Sequence, residues 1–189
     1  MRGVYKWIRP GADTAGRPAV FLDRDGVLIE DSGYLSKPAE MRFLPGSAAA
    51  VARLNRAGMA VVVVTNQSGV GRGYYGWKEF EDVQAALSAR LADEGAWLDG
   101  VWACAYHEDG IGEYRVANHP FRKPNPGMIL DALSEMRLDA GHSWMVGDRD
   151  SDVEAGRRAG LPGSILVGEP GVNDLAASAA RILGGVRHG

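Results

Sequence analysis

The five residues Ala60-Val61-Val62-Val63-Val64 constrain the fold more than any other stretch of the chain. β-branched side chains are stiff and suit a pleated strand. A run without polar alternation suits a strand covered on both faces, the habit of parallel sheets flanked by helices. Other segments fit that frame. Residues 19–22 form a second short apolar run, and 101–105, 144–146 and 164–167 read as further strands. Between them, apolar residues recur at helical spacing. Residues 47–57 place Val51 and Leu54 on one face and stop at Gly58; residues 78–92 carry Phe80, Val83, Leu87 and Leu91. Pro126 opens a helix with Ile129, Leu133 and Met136 on one face, and residues 151–159 and 175–183 complete the helical set. Strands alternating with helices predict one α/β domain, a doubly wound parallel sheet with helices on both faces.

With 189 residues, 46% of them hydrophobic and 24% charged, the chain suits a soluble domain with a real core. Residues 18–189 are expected to form it. Residues 1–17 are basic, lack the apolar centre of a signal peptide, and read as a loose N-terminal extension. A formal net charge of -3 supplies no global field to recruit nucleic acid or an anionic membrane, and no apolar stretch reaches spanning length. The single cysteine, Cys104, excludes an intrachain disulfide and suits a reducing compartment. A cytoplasmic monomer is the expectation.

Four polar clusters follow the strands or open the helices, where a doubly wound sheet gathers its ligand site. The first is Asp23-Arg24-Asp25-Gly26, two acids that would share a face in extended backbone. Acids so close repel unless a cation or proton lies between them, which suits metal-assisted nucleophilic chemistry. The second, Thr65-Asn66-Gln67-Ser68-Gly69, offers a hydroxyl and small-residue amides for phosphate oxygens. The third, Arg122-Lys123-Pro124, supplies a compact ammonium beside a guanidinium. The fourth, Gly147-Asp148-Arg149-Asp150-Ser151-Asp152, is rich in hard oxygen ligands for Mg²⁺. The segment Gly71-Arg72-Gly73-Tyr74-Tyr75-Gly76 spells a dinucleotide fingerprint, but it neither follows its strand directly nor opens the helix itself. Residues 29–43 and 106–120 are irregular, and loops of that length are uncommon unless functional. Neither is long enough for a large cap domain.

These clusters, in this order over residues 18 to 168, resemble motifs I to IV of the haloacid dehalogenase superfamily of aspartyl-phosphate phosphohydrolases. Phe-Leu-Asp-Arg-Asp-Gly, Thr-Asn-Gln-Ser-Gly-x-x-Arg-Gly and Arg-Lys-Pro-x-Pro-Gly-Met are similar, more narrowly, to the heptose 1,7-bisphosphate phosphatase family. The related histidinol-phosphate phosphatase domain shares most of the pattern. The resemblance implies a Rossmann-like fold with short loops and a Mg²⁺-dependent phosphatase serving nucleotide-heptose (lipopolysaccharide precursor) synthesis. It implies Asp23 as nucleophile, Asp25 as acid and base, and Thr65 and Lys123 gripping the phosphoryl group. Mg²⁺ would be held by Asp23, the Asp25 carbonyl and Asp148, with Asp152 orienting the set. A phosphorylated sugar would meet Asp31, Gly33 and Tyr34, then Asn66, Gln67 and Ser68, then Arg122 and Arg149. Histidinol phosphate or another small sugar phosphate is the alternative substrate. A phosphoacceptor switch domain is the alternative of another class, disfavoured because Asp25 suits turnover.

One departure stands out. Many relatives carry a zinc loop, Cys-x-His and then Cys-x-Cys, ahead of Arg-Lys-Pro. The matching positions here are Cys104, Tyr106, His119 and Phe121. A closed structural site wants four Cys or His ligands. Even with His107 in place of Tyr106, three is the most this chain offers. Zinc is therefore not expected. Packing of Tyr114, His119 and Pro120 should hold residues 106–120 instead, with Cys104 as a buried strand thiol.

Overall fold

The computed structural model describes residues 3–168 and 173–186. In chain order its elements are β1 (Val4–Ile8), β2 (Pro18–Leu22), α1 (Ser47–Arg56), β3 (Ala60–Asn66), α2 (Ser68–Gly71) and α3 (Trp77–Asp93). There follow β4 (Gly100–Cys104), α4 (Gly127–Glu135), β5 (Asp139–Gly147), α5 (Asp150–Arg158), β6 (Gly163–Leu166) and α6 (Leu175–Val186). The strands form one sheet in the order β1-β4-β3-β2-β5-β6. Strands β2 to β6 pair in parallel, and β1 runs antiparallel to β4 at the edge. Every residue of β3 up to Thr65 is buried, as the valine run requires of a central strand.

Helices cover both faces. Val51 and Leu54 of α1, Phe80, Val83 and Leu87 of α3, and Ala179 and Ile182 of α6 pack with Val61, Val63 and Leu22 on one side. Met128, Ile129 and Ala132 of α4 and Ala155 of α5 pack with Phe21, Val62 and Trp102 on the other. Alternate residues of β2 and β3 thus feed opposite cores, which is what a period of two demands. No described helix is long and apolar enough to cross a membrane.

The sequence reading needs correction at the N-terminus. Residues 4–8 are not loose: they form β1. Tyr5 and Trp7 point to one face, where Tyr5 stacks on Trp77 at 5.8 Å and meets Phe80 edge-on at 5.2 Å. Lys6 points to the other, paired with Asp131 and lying 5.8 Å from the Phe121 ring centre. β5 begins five residues before the expected start, with a register irregularity between Pro18 and Val20 of its partner strand. Pro126 caps α4 rather than lying inside it. The one-turn helix α2 was not expected. The two irregular stretches hold short 3-10 turns, Pro38–Glu40 and Gly112–Tyr114, and isolated β-bridges between Ile29 and Phe43 and between His107 and Arg115. Among the described residues there is no separate cap.

Candidate active site

The sheet order places the site. β2 lies between β3 and β5, and Leu22 pairs with Val63 on one side and Val146 on the other. Asp23, Thr65 and Asp148 therefore leave neighbouring strands at nearly one level, at their carboxyl ends. The Asp23 N–H donates to the Val146 carbonyl at 3.0 Å, the last tie before the chain leaves the sheet.

Strand β2 ends at Leu22, so strand alternation alone does not explain how Asp23 and Asp25 come to share a cleft. A turn does. The amides of Leu28 and Ile29 both donate to the Arg24 carbonyl, and Gly26 takes a φ of 82°. Glycine is needed there twice over, since a Cβ would lie 2.3 Å from the Asp148 carboxylate. The same turn folds Arg24 inward. Its guanidinium is 1% exposed, lies over the Phe80 ring at 5.2 Å, and donates from Nε and Nη2 to the two Asp25 oxygens at 3.1 Å each.

Gln67 completes the grip. Its Nε2 donates to Asp25 at 3.0 Å and to the Thr65 hydroxyl oxygen at 2.9 Å, while its Oε1 accepts from Tyr75 Oη at 2.6 Å. A hydroxyl that accepts keeps its own proton for donation. Thr65 is thus set to donate to a phosphate oxygen, and Asp25 is held by two buried donors' side chains. Asn66 makes a reciprocal pair with the Lys123 backbone, donating to its carbonyl and accepting from its amide at 3.1 Å. That pair fixes the third motif against the second.

The buried ammonium of Lys123 lies 3.1 Å from Asp23 and 2.7 Å from Asp152. Burial works against the lysine's charge, but the two acids prevail and raise its pKa. Burial, then the neighbouring charges of Asp152 and Asp25, push Asp23 up to about 7 against the pull of Lys123. Burial, followed by Asp152, also raises Asp148. Asp152 has both oxygens engaged: Oδ1 faces Lys123, and Oδ2 accepts the Arg149 N–H at 3.0 Å, capping α5.

One carboxylate oxygen from each of Asp23, Asp148 and Asp152 falls within a 4.8 Å group. Asp148 Oδ1 is buried without a hydrogen-bond partner. A buried, unpartnered carboxylate oxygen beside two further acids is a donor set that fits a hard divalent cation such as Mg²⁺. Asp23 and Asp148 would hold it, together with the Asp25 carbonyl. The zinc positions give the opposite result. Tyr106 and His119 stack at 3.8 Å with planes 18° apart, with Phe121 and Tyr114 close by at 5.9 and 6.2 Å. Cys104 is buried in the α4 core. Cys104 and His119 are thus the two Cys or His side chains at these four positions, where a closed structural zinc site uses four.

The cleft that contains Asp23 has a volume of about 320 Å³. Asp25, Thr65 and Lys123 line it, and so do the expected substrate residues Asp31, Gly33, Tyr34, Asn66, Gln67, Ser68, Arg122 and Arg149. Asp148 does not line it but stands within the acidic group. Asp31 braces two motifs, accepting from Arg149 Nη2 at 2.7 Å and from the Gly33 amide at 3.0 Å. Arg122 donates to the Tyr106 carbonyl at 3.2 Å, so the stacked loop steadies it. Sequence reasoning gave no role to Arg24 or Tyr75, and it held Gly69 and Ser151 only as members of their clusters. The last three also line the cleft. The letters Asp-Arg-Asp gave one available signal, since an arginine between two acids has partners at hand. Tyr75 gave none, because only the fold brings it to Gln67.

Comparisons with known proteins show the family. The HAD-hydrolase-like family model matches residues 120–182. The D-glycero-β-D-manno-heptose-1,7-bisphosphate 7-phosphatase of Mesorhizobium japonicum is 50% identical over 79% of this chain and 69% of its own length. The corresponding α-anomer enzyme of Burkholderia mallei is 42% identical over 87% of each chain. The D,D-heptose 1,7-bisphosphate phosphatase of B. bronchiseptica, solved with magnesium and phosphate, superposes with a TM-score of 0.77 at 31% identity. That alignment covers 89% of this chain and 99% of the other. With relatives of this similarity, the chain belongs to the haloacid dehalogenase-like phosphatases, within the family of the heptose-1,7-bisphosphate 7-phosphatases.

Proposed function

We propose that this protein is a Mg²⁺-dependent phosphatase that removes the 7-phosphate of D-glycero-D-manno-heptose 1,7-bisphosphate through an aspartyl phosphate on Asp23. The observation that carries the reading is the setting of Asp23. It lies 3.1 Å from the Lys123 ammonium, in a cleft it shares with an Asp25 carboxylate clamped by Arg24 and Gln67. A carboxylate attacks a phosphate only where cations offset both negative charges. Bound Mg²⁺ supplies that charge stabilisation and keeps the crowded acids ionised.

The residues divide the reaction into two displacements. An Asp23 oxygen forms a bond to phosphorus as the ester P–O bond breaks, and protonated Asp25 gives its proton to the leaving sugar oxygen. Asp25 then takes a proton from water, whose oxygen bonds to phosphorus as the Asp23 oxygen leaves. Inorganic phosphate is released, and Asp25 is again protonated for the next cycle. Lys123 and the Thr65 hydroxyl hold the transferring group through both steps. Arg122 is suited to the distal phosphate, because a guanidinium binds phosphate through two parallel hydrogen bonds.

A phosphate-release screen over heptose 1,7-bisphosphate, other sugar bisphosphates, sugar monophosphates and histidinol phosphate tests the assignment. Preferred turnover of the heptose bisphosphate, leaving the 1-phosphate in place, is the expected result. Efficient turnover of histidinol phosphate with the heptose ignored would overturn it.

A further inference from the structure

Tyr34 lines the cleft although it is 45% exposed. A side chain that exposed, on an irregular loop, would ordinarily keep much of its rotamer freedom. Three contacts restrain it. Its ring rests on the backbone of Gly69, where an added Cβ would lie 2.9 Å from Cδ1. Tyr74 meets it edge-on, with ring centres 4.6 Å apart. Its phenol oxygen accepts from Arg72 Nη1 at 2.9 Å.

Arg72 caps the end of α2 and is not itself a wall of the cleft. While Nη1 reaches Tyr34, Nη2 donates to Asp109 at 2.9 Å and lies 3.1 Å from His107 Nε2. One guanidinium therefore ties the 29–43 loop to the 106–120 loop. The second loop in turn steadies Arg122 through the Tyr106 carbonyl. The two terminal nitrogens of the guanidinium reach the two loops separately, a spread that the single nitrogen of a lysine lacks.

We infer that Arg72 is a positioning residue for substrate selection: it holds Tyr34 as a fixed aromatic wall and braces the two loops that enclose the non-reacting part of a phosphorylated sugar. The inference rests on the sugar-phosphate reading above. Binding energy from remote parts of a substrate is realised only where the walls are already in place, so restraint of Tyr34 acts through affinity for the sugar. Arg72 touches neither the transferring group nor Asp23.

The test is steady-state kinetics with Mg²⁺ on heptose 1,7-bisphosphate and on p-nitrophenyl phosphate, whose planar leaving group has no sugar or distal phosphate to hold. Arg72→Ala and Tyr34→Phe are each expected to lower the ratio of the two kcat/KM values about tenfold, chiefly through KM for the bisphosphate. Tyr34→Phe removes no charge, so it separates loss of the contact from loss of Arg72's field. Arg72→Lys should restore little, and the double variant should be no worse than Arg72→Ala alone. A ratio unmoved in both single variants overturns the inference. So does an equal fall on both substrates with a lowered melting temperature, which would make Arg72 purely structural. If the unaltered protein prefers another sugar phosphate, the heptose assignment fails by itself. The ratio is then taken on the preferred substrate, where the same outcomes decide the role of Arg72.

Discussion

On the proposed mechanism, Asp25 illustrates how much of an acid–base residue's work is done by the neighbours that hold it. Arg24 and Gln67 both donate to its carboxylate, and Tyr75 holds Gln67 from behind. Gln67→Leu should lower kcat by roughly a hundredfold, the lower end of what a placed acid–base contributes, with a smaller change in KM. The same change leaves the buried Thr65 hydroxyl and the half-buried Tyr75 hydroxyl short of a partner, a loss of roughly 2 kcal/mol in stability measured by denaturant unfolding. Asp152→Ala removes one of two carboxylates from a fully buried lysine, and breaking such a pair costs about 3 kcal/mol or more. Residue positions were legible where the signal is local. Asp23, Thr65, Lys123 and Asp148 follow strands or precede a helix in readable positions, and all four gather as expected. Arg24 was not legible as the clamp on Asp25. Strand alternation would aim it away from the acids, and only the turn closed on its carbonyl brings it back.

At the scale of elements, β1 and the 106–120 loop depend on each other. Gly3 lies flat against the Tyr106 ring, where a Cβ would come within 2.6 Å, and its carbonyl accepts the Ala105 amide. The Tyr106–His119 stack thus has the N-terminal strand on its outer side. Removing residues 1–8 should expose the β4 edge and loosen this loop, seen as faster proteolysis within 106–120 and concentration-dependent aggregation. The loop should also respond to acid. Burial lowers the His119 pKa, and burial with the charges of Arg122 and Arg72 lowers that of His107. Both are therefore harder to protonate in the folded loop than in the unfolded chain, where an imidazole titrates near pH 6.5. Their contribution to stability is therefore complete above about pH 6.5 and is lost as pH falls through the lower folded values. Proteolysis of the loop should accelerate across that window, and His119→Phe should blunt the response. A loop equally resistant at pH 5 and pH 7.5 would contradict this. The sequence marked this loop through its incomplete zinc pattern and named His119 and Tyr114 as anchors. The Tyr106 stack and the β1 cover depend on long-range pairing that no local period reveals.

For the whole molecule, the alternation of strands and helices was enough to read the parallel sheet and its two helical layers. The β-branched run of β3 and the apolar faces of α1 and α3 carry that information within short windows. Strand order, the antiparallel edge and the bend after Leu22 arise from packing between distant segments, so they were not legible there. One consequence of the closed core is chemical. Burial pushes the Cys104 thiol up to about 11, so it should resist alkylation at pH 8 until the protein unfolds. On the proposed mechanism three strand ends and the turn ahead of α4 act as one site, with Asp23 attacking phosphorus first and Asp25 needed for the water step. The most direct measurement is rapid-mix release of p-nitrophenolate from p-nitrophenyl phosphate with Mg²⁺. Its leaving group departs without a proton. Asp25→Asn should therefore release a burst approaching one equivalent per site and then nearly stop, with the phosphoryl group recovered on Asp23, while Asp23→Asn gives no burst. Linear release without a burst from Asp25→Asn, or undiminished turnover by Asp23→Asn, would contradict the account.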